Sequence, residues 1–530
     1  MSLVLAFAIP ASGVAGNGPS SGNSGSGKHG AKVPKGLLEQ ASANPDGTFK
    51  VIVQGRIGKS SDKIGDRVRS EKGKLKSKFR SINGVAAEVS GKQLRKLAED
   101  SDVLAITLDA PVRSVGYQDA EMWRDSTRVN YLWNELDLNT GEALGPAPQA
   151  PAIAIVDSGV DATKLGDFGM RVVASVNLSS LSPLETGDGQ GHGTMVAGIA
   201  AGASPLYPGV AQNAPIVSIR TSDANGMSVM SDVIAAADWI LANKDAYNIR
   251  VANFSLRGSV ETSFRVDPLD KAVEQLWFAG VTVVAAAGNH GTGTGPVSMS
   301  YAPGNDPFIV TVGALAEQQS SDPLDNTLAP WSGYGTTMDG FAKPEVAAPG
   351  RYMIMPVPAN ATMATQYPDR VVAPGYMWMS GTSFAAPVVS GIAAQMLARH
   401  PDWGPDQVKG ALMRTTNYLS GPGLAAGVGE IDGLYAAYDE VPPNPNENFY
   451  AFVVTDPVTG ARTFDEAAWS DHVQTNAAWS SAAWSSAAWS SAAWSSAAWS
   501  SAAWSSAAWS VDVSSQMSSM ATDNETAGAE

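Results

Sequence analysis

Apolar residues follow two rhythms along this chain. Between Ala152 and Glu440, short continuous apolar runs alternate with longer stretches of helical period. Ala-Ile-Ala-Ile-Val at 152–156 is such a run, as expected of a strand covered on both faces. Residues 214–221, 250–256, 281–289 and 308–315 read the same way. Between them, 192–202, 228–244 and 268–280 carry helical spacing, and 383–400 reads as a buried helix. Residues 405–416 and 432–438 supply closing helices. Strand–helix alternation predicts an α/β fold, a doubly wound and mostly parallel sheet with helices on both faces. In such sheets the chemistry sits beyond the carboxyl ends of the strands.

A smaller pattern precedes it. Residues 49–55 and 103–109 are strand-like and 91–100 helix-like. Residues 76–90 predict a basic helix end, a turn at Asn83-Gly84 and another strand. This is a small α+β domain over 45–112. The main domain is predicted over 118–440, followed by a linker and short segment over 441–476.

Composition sharpens this division. Residues 1–118 carry a net +8 and the remainder −24, so the two parts should attract each other. The acidic body argues against a nucleic-acid partner. No apolar run reaches membrane-spanning length. Cysteine is absent, which removes disulfides and thiolate metal sites. Leu3–Ile9, followed by small residues, resembles the end of a secretory signal, and residues 1–30 end in a Gly/Ser-rich stretch expected to be disordered.

Three segments offer chemistry. Asp157 ends the 152–156 run, His192 opens a helix between two glycines, and Ser383 opens another helix. Singly, each has an ordinary explanation: a cap, a turn residue or a surface histidine. Together they supply a nucleophile, a base to take its proton and a carboxylate to orient that base.

The order Asp-Ser-Gly-Val-Asp (157–161), Gly-His-Gly-Thr-Met-Val-Ala-Gly (191–198) and Gly-Thr-Ser-Phe-Ala-Ala-Pro (381–387) resembles the subtilisin-like serine proteases. The stretches 253–258, 281–289, 301–314, 331–335 and 343–350 fall in that family's order, and the likeness covers roughly 150–437. It implies a secreted serine endopeptidase working through an acyl-enzyme on protein or peptide substrates. Ser383 matches the nucleophile, His192 the general base, Asp157 its orienting carboxylate and Asn289 the oxyanion-hole amide. His290 reads as loop surface. Ser255, Leu256, Arg257 and Gly258 match the strand that pairs with substrate, and Ala286, Ala287 and Gly288 the facing wall of the S1 pocket. Arg257 stands where the family often has glycine. It narrows the cleft or favours an acidic substrate side chain, or else turns to solvent.

Residues 48–112 resemble the family's inhibitory propeptide, so the chain's own propeptide becomes an expected partner, with a mature start between Ala110 and Gln118. The segment 351–379, longer than the family's usual connection and rich in Met, is expected to be packed. No cofactor is required for the chemistry. The family often carries structural calcium, and 117–125 and 184–191 offer oxygens for it.

The C-terminus is unlike the rest. Residues 477–510 repeat Ala-Ala-Trp-Ser-Ser, an isolated Ala-Ala-Trp-Ser occurs at 467–470, and an acidic tail covers 511–530. A period of five places tryptophans on neither one helix face nor one strand face. The repeat is either an unfolded low-complexity tail, or it adheres to cell wall, polysaccharide or another copy. A non-catalytic adhesin on a subtilisin-like scaffold, a narrow processing protease and a serine-carboxyl peptidase are the competing readings. Retention of Asp157, His192, Ser383 and Asn289 argues against the first, and the histidine of 191–194 against the last.

Overall fold

A computed structural model describes residues 31–33, 35–109, 122–138, 140–318, 320–419, 421–457 and 460–475. The leader region, the expected maturation site, the repeat and the acidic tail lie outside them. The chain divides into two units, 1–114 and 115–530.

The first unit is a four-stranded antiparallel sheet in the order Lys74–Phe79, Gly84–Ser90, Thr48–Gly55, Val103–Leu108. Val51, Val53, Ile64, Val68, Val85, Leu94 and Ile106 form its core. The helix Gly91–Glu99 begins with a capping box between Ser90 and Gln93. One expectation is corrected here. Residues 76–79 are not a helix end but belong to the edge strand Lys74–Phe79, and the helix lies upstream at Ser61–Ser70. The lysines of this strand guard an open sheet edge, a role that leaves little apolar period to read.

In the second unit the fully apolar runs become the central strands. Their order is Thr327–Leu328, Val310–Ala316, Thr282–Ala286, Ile249–Phe254, Ala152–Asp157, Ile216–Arg220, Val172–Asn177, with Val346–Pro349 also on Val310–Ala316. All pairs are parallel except Thr327–Leu328 on Val310–Ala316. Ala152–Asp157 lies between Ile216–Arg220 and Ile249–Phe254, and the chain fills the side of Ile216–Arg220 and Val172–Asn177 before crossing to the other. Asp157 therefore ends the strand at which the winding reverses, where α/β sheets place their sites. The helix Thr382–Arg399 is buried along most of its length. It crosses the helix His192–Ala201 at Gly391, where a Cβ would lie 2.7 Å from the Ala200 carbonyl oxygen.

Residues 351–379 form a three-stranded antiparallel sheet, Met353–Pro356, Tyr376–Met379 and Val371–Ala373, with Met353, Met355 and Met377 buried. The chain does not leave the body at Glu440. Asn446 donates to the Phe308 carbonyl (3.0 Å) and to Asp406 (2.9 Å), and Phe449, Phe464 and Trp469 join the main core. The Pro/Asn-rich stretch looked like a linker because its anchors are isolated aromatics without period.

Candidate active site

Asp157 and His192 come together at the end of the central strand. The His192 Nδ1–H donates to both Asp157 oxygens, at 2.8 and 2.9 Å. This is close because the His192 helix meets the strand end through glycine. A Cβ on Gly193 would fall on the Gly159 carbonyl oxygen. Gly191, the residue before the helix, has φ 100°, which an L side chain rarely adopts. Burial opposes charge on His192, but the Asp157 charge and hydrogen bond, with Asp188 further off, outweigh it and raise its pKa above the ordinary value. The Phe384 ring lies 5.3 Å from the imidazole.

Asp188 holds this turn in place, a residue the sequence reading did not single out for the site. Its Oδ1 accepts from Ser158 Oγ (2.8 Å) and Gly191 N (2.7 Å), and its Oδ2 from Thr194 N (2.8 Å) and Thr194 Oγ1 (2.6 Å). Ser158 Oγ in turn accepts from Gly193 N at 2.9 Å. An acidic residue four positions before a helix-opening histidine is the available signal, since carboxylates suit helix N-termini. The same contacts bear on calcium. Asp188 is committed to the turn and Glu185 to Arg220. Among the described residues no group of three or more His, Asp or Glu is arranged to hold a metal ion.

Ser383 is the second residue of its helix. Its Oγ donates to the Ser255 carbonyl at 3.2 Å, and Ser255 Oγ donates to the Ser383 carbonyl at 2.8 Å. Among the described residues Ser383 has no hydrogen bond to His192. Asn289 is anchored by its carbonyl, which accepts from Thr382 N (2.9 Å) and Thr382 Oγ1 (3.0 Å). Its Nδ2 then faces Gly381, where a Cβ would stand 3.2 Å away. Thr382 Oγ1 also accepts from Gly288 N at 3.0 Å, so one hydroxyl ties the Ala286–Gly288 wall to the Ser383 helix.

The two expected substrate walls meet at Arg257. Its Cδ lies against Gly288, where a Cβ would come within 2.9 Å, and its guanidinium stacks 4.3 Å over Tyr301. Leu256 is half-buried, and the Gly258 N–H already donates to the Ala302 carbonyl at 2.6 Å. Ala286 and Ala287 are buried. His290 is not simple loop surface. It is half-buried, its Nε2 bonds the Ser298 carbonyl at 2.9 Å, and its ring meets Tyr301 edge-on.

The Subtilase family, peptidase S8, matches residues 149–430, more than half of the chain. This chain belongs to the subtilases. It is a serine endopeptidase, and its substrates are proteins. Serine protease AprX of Bacillus subtilis (strain 168) is 31% identical over 360 residues, 66% of this chain and 77% of that protein. Subtilisin NAT of Bacillus subtilis subsp. natto is 29% identical over 388 residues, 72% of this chain and 89% of that protein. A solved cold-adapted subtilisin-like serine proteinase covers 59% of this chain and 96% of its own at 26% identity, with a TM-score of 0.41. Among the described residues, this subtilase has no helix long and apolar enough to cross a membrane.

Proposed function

We propose that this subtilase cuts peptide bonds with Ser383 as nucleophile, His192 as general base and Asp157 as the carboxylate that orients it. The observation carrying this reading is the doubly accepted His192 Nδ1–H on Asp157. It fixes the tautomer that leaves Nε2 free to take a proton. Turning the Ser383 hydroxyl from the Ser255 carbonyl to His192 Nε2 starts the reaction. The oxygen attacks the substrate carbonyl and its proton passes to Nε2. The oxyanion then faces Asn289 Nδ2 and the Ser383 N–H. Losing one such donor costs about 3 kcal/mol of transition-state stabilisation in enzymes of this kind, subtilisin among them. Nε2 returns its proton to the leaving amine, and water, deprotonated by the same nitrogen, releases the acyl group. This sequence draws on no cofactor.

The chain is read as a secreted zymogen. The basic α+β unit acts as propeptide for the acidic body, and cleavage falls between 110 and 118. Arg257, laid across Gly288, narrows the S1 entrance and favours an acidic side chain there.

Fluorophosphonate labelling of the full chain beside Ser383→Ala, followed by mass analysis over time, tests the reading. The wild type should label and shorten from its N-terminus while the variant stays whole. Equal labelling of both removes Ser383 from its role. Labelling without shortening removes the zymogen. The same enzyme, profiled on peptides with acidic and apolar residues before the scissile bond, should prefer the acidic ones, and a flat profile removes the role given to Arg257.

A further inference from the structure

The tetrapeptide Ala-Ala-Trp-Ser closes no motif of the active site, yet the fold captures one copy of it. Ala467–Ser470 lies in the helix Glu466–Thr475. Ala467 and Ala468 face solvent, whereas Trp469 is 6% exposed. Its ring sits 5.8 Å from Phe264, 5.9 Å from Phe341 and 6.1 Å from Phe464, three rings that are themselves buried. Arg265 Nη1 donates to Ser470 Oγ at 2.8 Å, and Asp339 holds that guanidinium through Nε at 2.9 Å. Asp465 caps the helix, its Oδ1 accepting from Ala468 N at 3.0 Å. The body thus engages three features of this short sequence: a cap acceptor two positions before the first alanine, a tryptophan, and a hydroxyl directly after it.

Every copy of the unit in 477–510 presents the same three features in the same register. Thr475, Ser480, Ser485, Ser490, Ser495, Ser500 and Ser505 each stand two positions before an Ala-Ala pair. Threonine and serine serve as cap acceptors as aspartate does. Trp479, Trp484, Trp489, Trp494, Trp499, Trp504 and Trp509 follow, each with a serine after it. One contact is particular to the seated copy, the ion pair of Lys271 with Glu466 at 2.7 Å, because the other copies have Asn or Ser at that position.

We propose that the pocket of Phe264, Arg265, Phe341 and Phe464 is a receptor for a capped Ala-Ala-Trp-Ser turn, and that the units of 477–510 are interchangeable occupants of it within the same chain. Replacing the seated unit by a later one lengthens a loop, and closure cost grows only with the logarithm of that length. The Lys271–Glu466 pair sets the preference for the first unit, and the seven further units compete by number.

Full-length chains in a Ser383→Ala background test this without turnover. One carries Trp469→Ala with the tail intact. The other adds alanine at all seven tail tryptophans. The first should melt within about 1 °C of the parent, because a tail unit takes the vacant pocket. The second should melt about 5 °C lower, as expected for an emptied aromatic site. A fluorescent peptide Ser-Ser-Ala-Ala-Trp-Ser-Ser should bind the second chain and raise its melting point, and should lose that binding when Arg265→Ala is added. Failure of the second chain to fold while the first folds supports the receptor. Equal melting of the two chains, failure of both to fold, or no peptide binding by a folded second chain overturns it. Recovery of the first chain that rises with protein concentration overturns the same-chain form and moves the occupant to a second copy.

Discussion

At the scale of single residues, the site depends on the balance of forces on His192. Burial alone would favour neutral imidazole, while the Asp157 carboxylate holds the charged form and wins. A general base works only when neutral, so with His192 in the proposed role kcat/KM should fall on the acid side through a pKa above the ordinary imidazole value of about 6.5. Asp157→Asn removes the charge that raises it. The acid limb should then move to lower pH while kcat drops by about 10⁴-fold, a magnitude drawn from serine proteases of this geometry, subtilisin among them. A pH–rate profile of both proteins on one peptide substrate reads both effects. An unmoved limb would show that a group other than His192 titrates there. Asp157, His192 and Ser383 were legible in the sequence as candidates because each stands at an element boundary where such chemistry belongs. Asp188 was not, because a carboxylate in a Gly-rich loop reads as solvated until its four donors are seen converging on it.

At the scale of elements, the site is a matter of close approach. The His192 helix reaches the end of the central strand only because Gly193 lets it rest on Gly159. A Cβ at Gly193 would meet that carbonyl and stand 3.1 Å from the Asp157 Cβ. Gly193→Ala should therefore cost about 1–3 kcal/mol of stability. It should also lower kcat/KM about 100-fold by displacing His192 from Asp157. Thermal melting and peptide kinetics on the same preparation check the pair of effects. Wild-type activity at reduced stability would mean that the helix shifts without disturbing the imidazole. The strands and helices of this body were readable because a fully covered sheet writes itself as unbroken apolar runs. The strand Lys74–Phe79 was misread for the opposite reason. An edge strand with one half-buried face and a row of lysines has no period strong enough to separate it from a basic helix end.

At the scale of the whole molecule, the body encloses ionisable groups that no catalytic step uses. Burial raises the Glu430 carboxyl to about 8, with Asp432 and Asp325 adding to the shift and Asn326 and Ser126 opposing it. The folded protein therefore keeps this proton between about 4.5 and 8, where the unfolded chain has lost it. Linkage gives the sign: stability is greatest below the unfolded value and declines as pH rises through that window. Glu430→Gln keeps the shape and removes the titration. The variant and the wild type should melt alike near pH 5, and the variant should gain on the order of a few kcal/mol by pH 8. Comparing the two cancels other groups that titrate in the same range, Asp306 and Lys409 among them. A constant difference from pH 5 to pH 8 would remove Glu430 as the source.

The amino-acid sequence by itself determined the alternation of covered strands and helices, and with it the α/β class. It also determined the residue types of the candidate site and the period of the tail. These are local properties, written in neighbouring residues and their spacing. Only the tertiary structure decided which partners those residues meet. It committed Asp188 to the His192 turn and Ser383 Oγ to the Ser255 carbonyl, laid Arg257 across Gly288 to Tyr301, and sank Trp469 among three phenylalanines. Those contacts are made by side chains meeting in space, most of them from different elements, and no periodicity within one segment records what another segment brings to it.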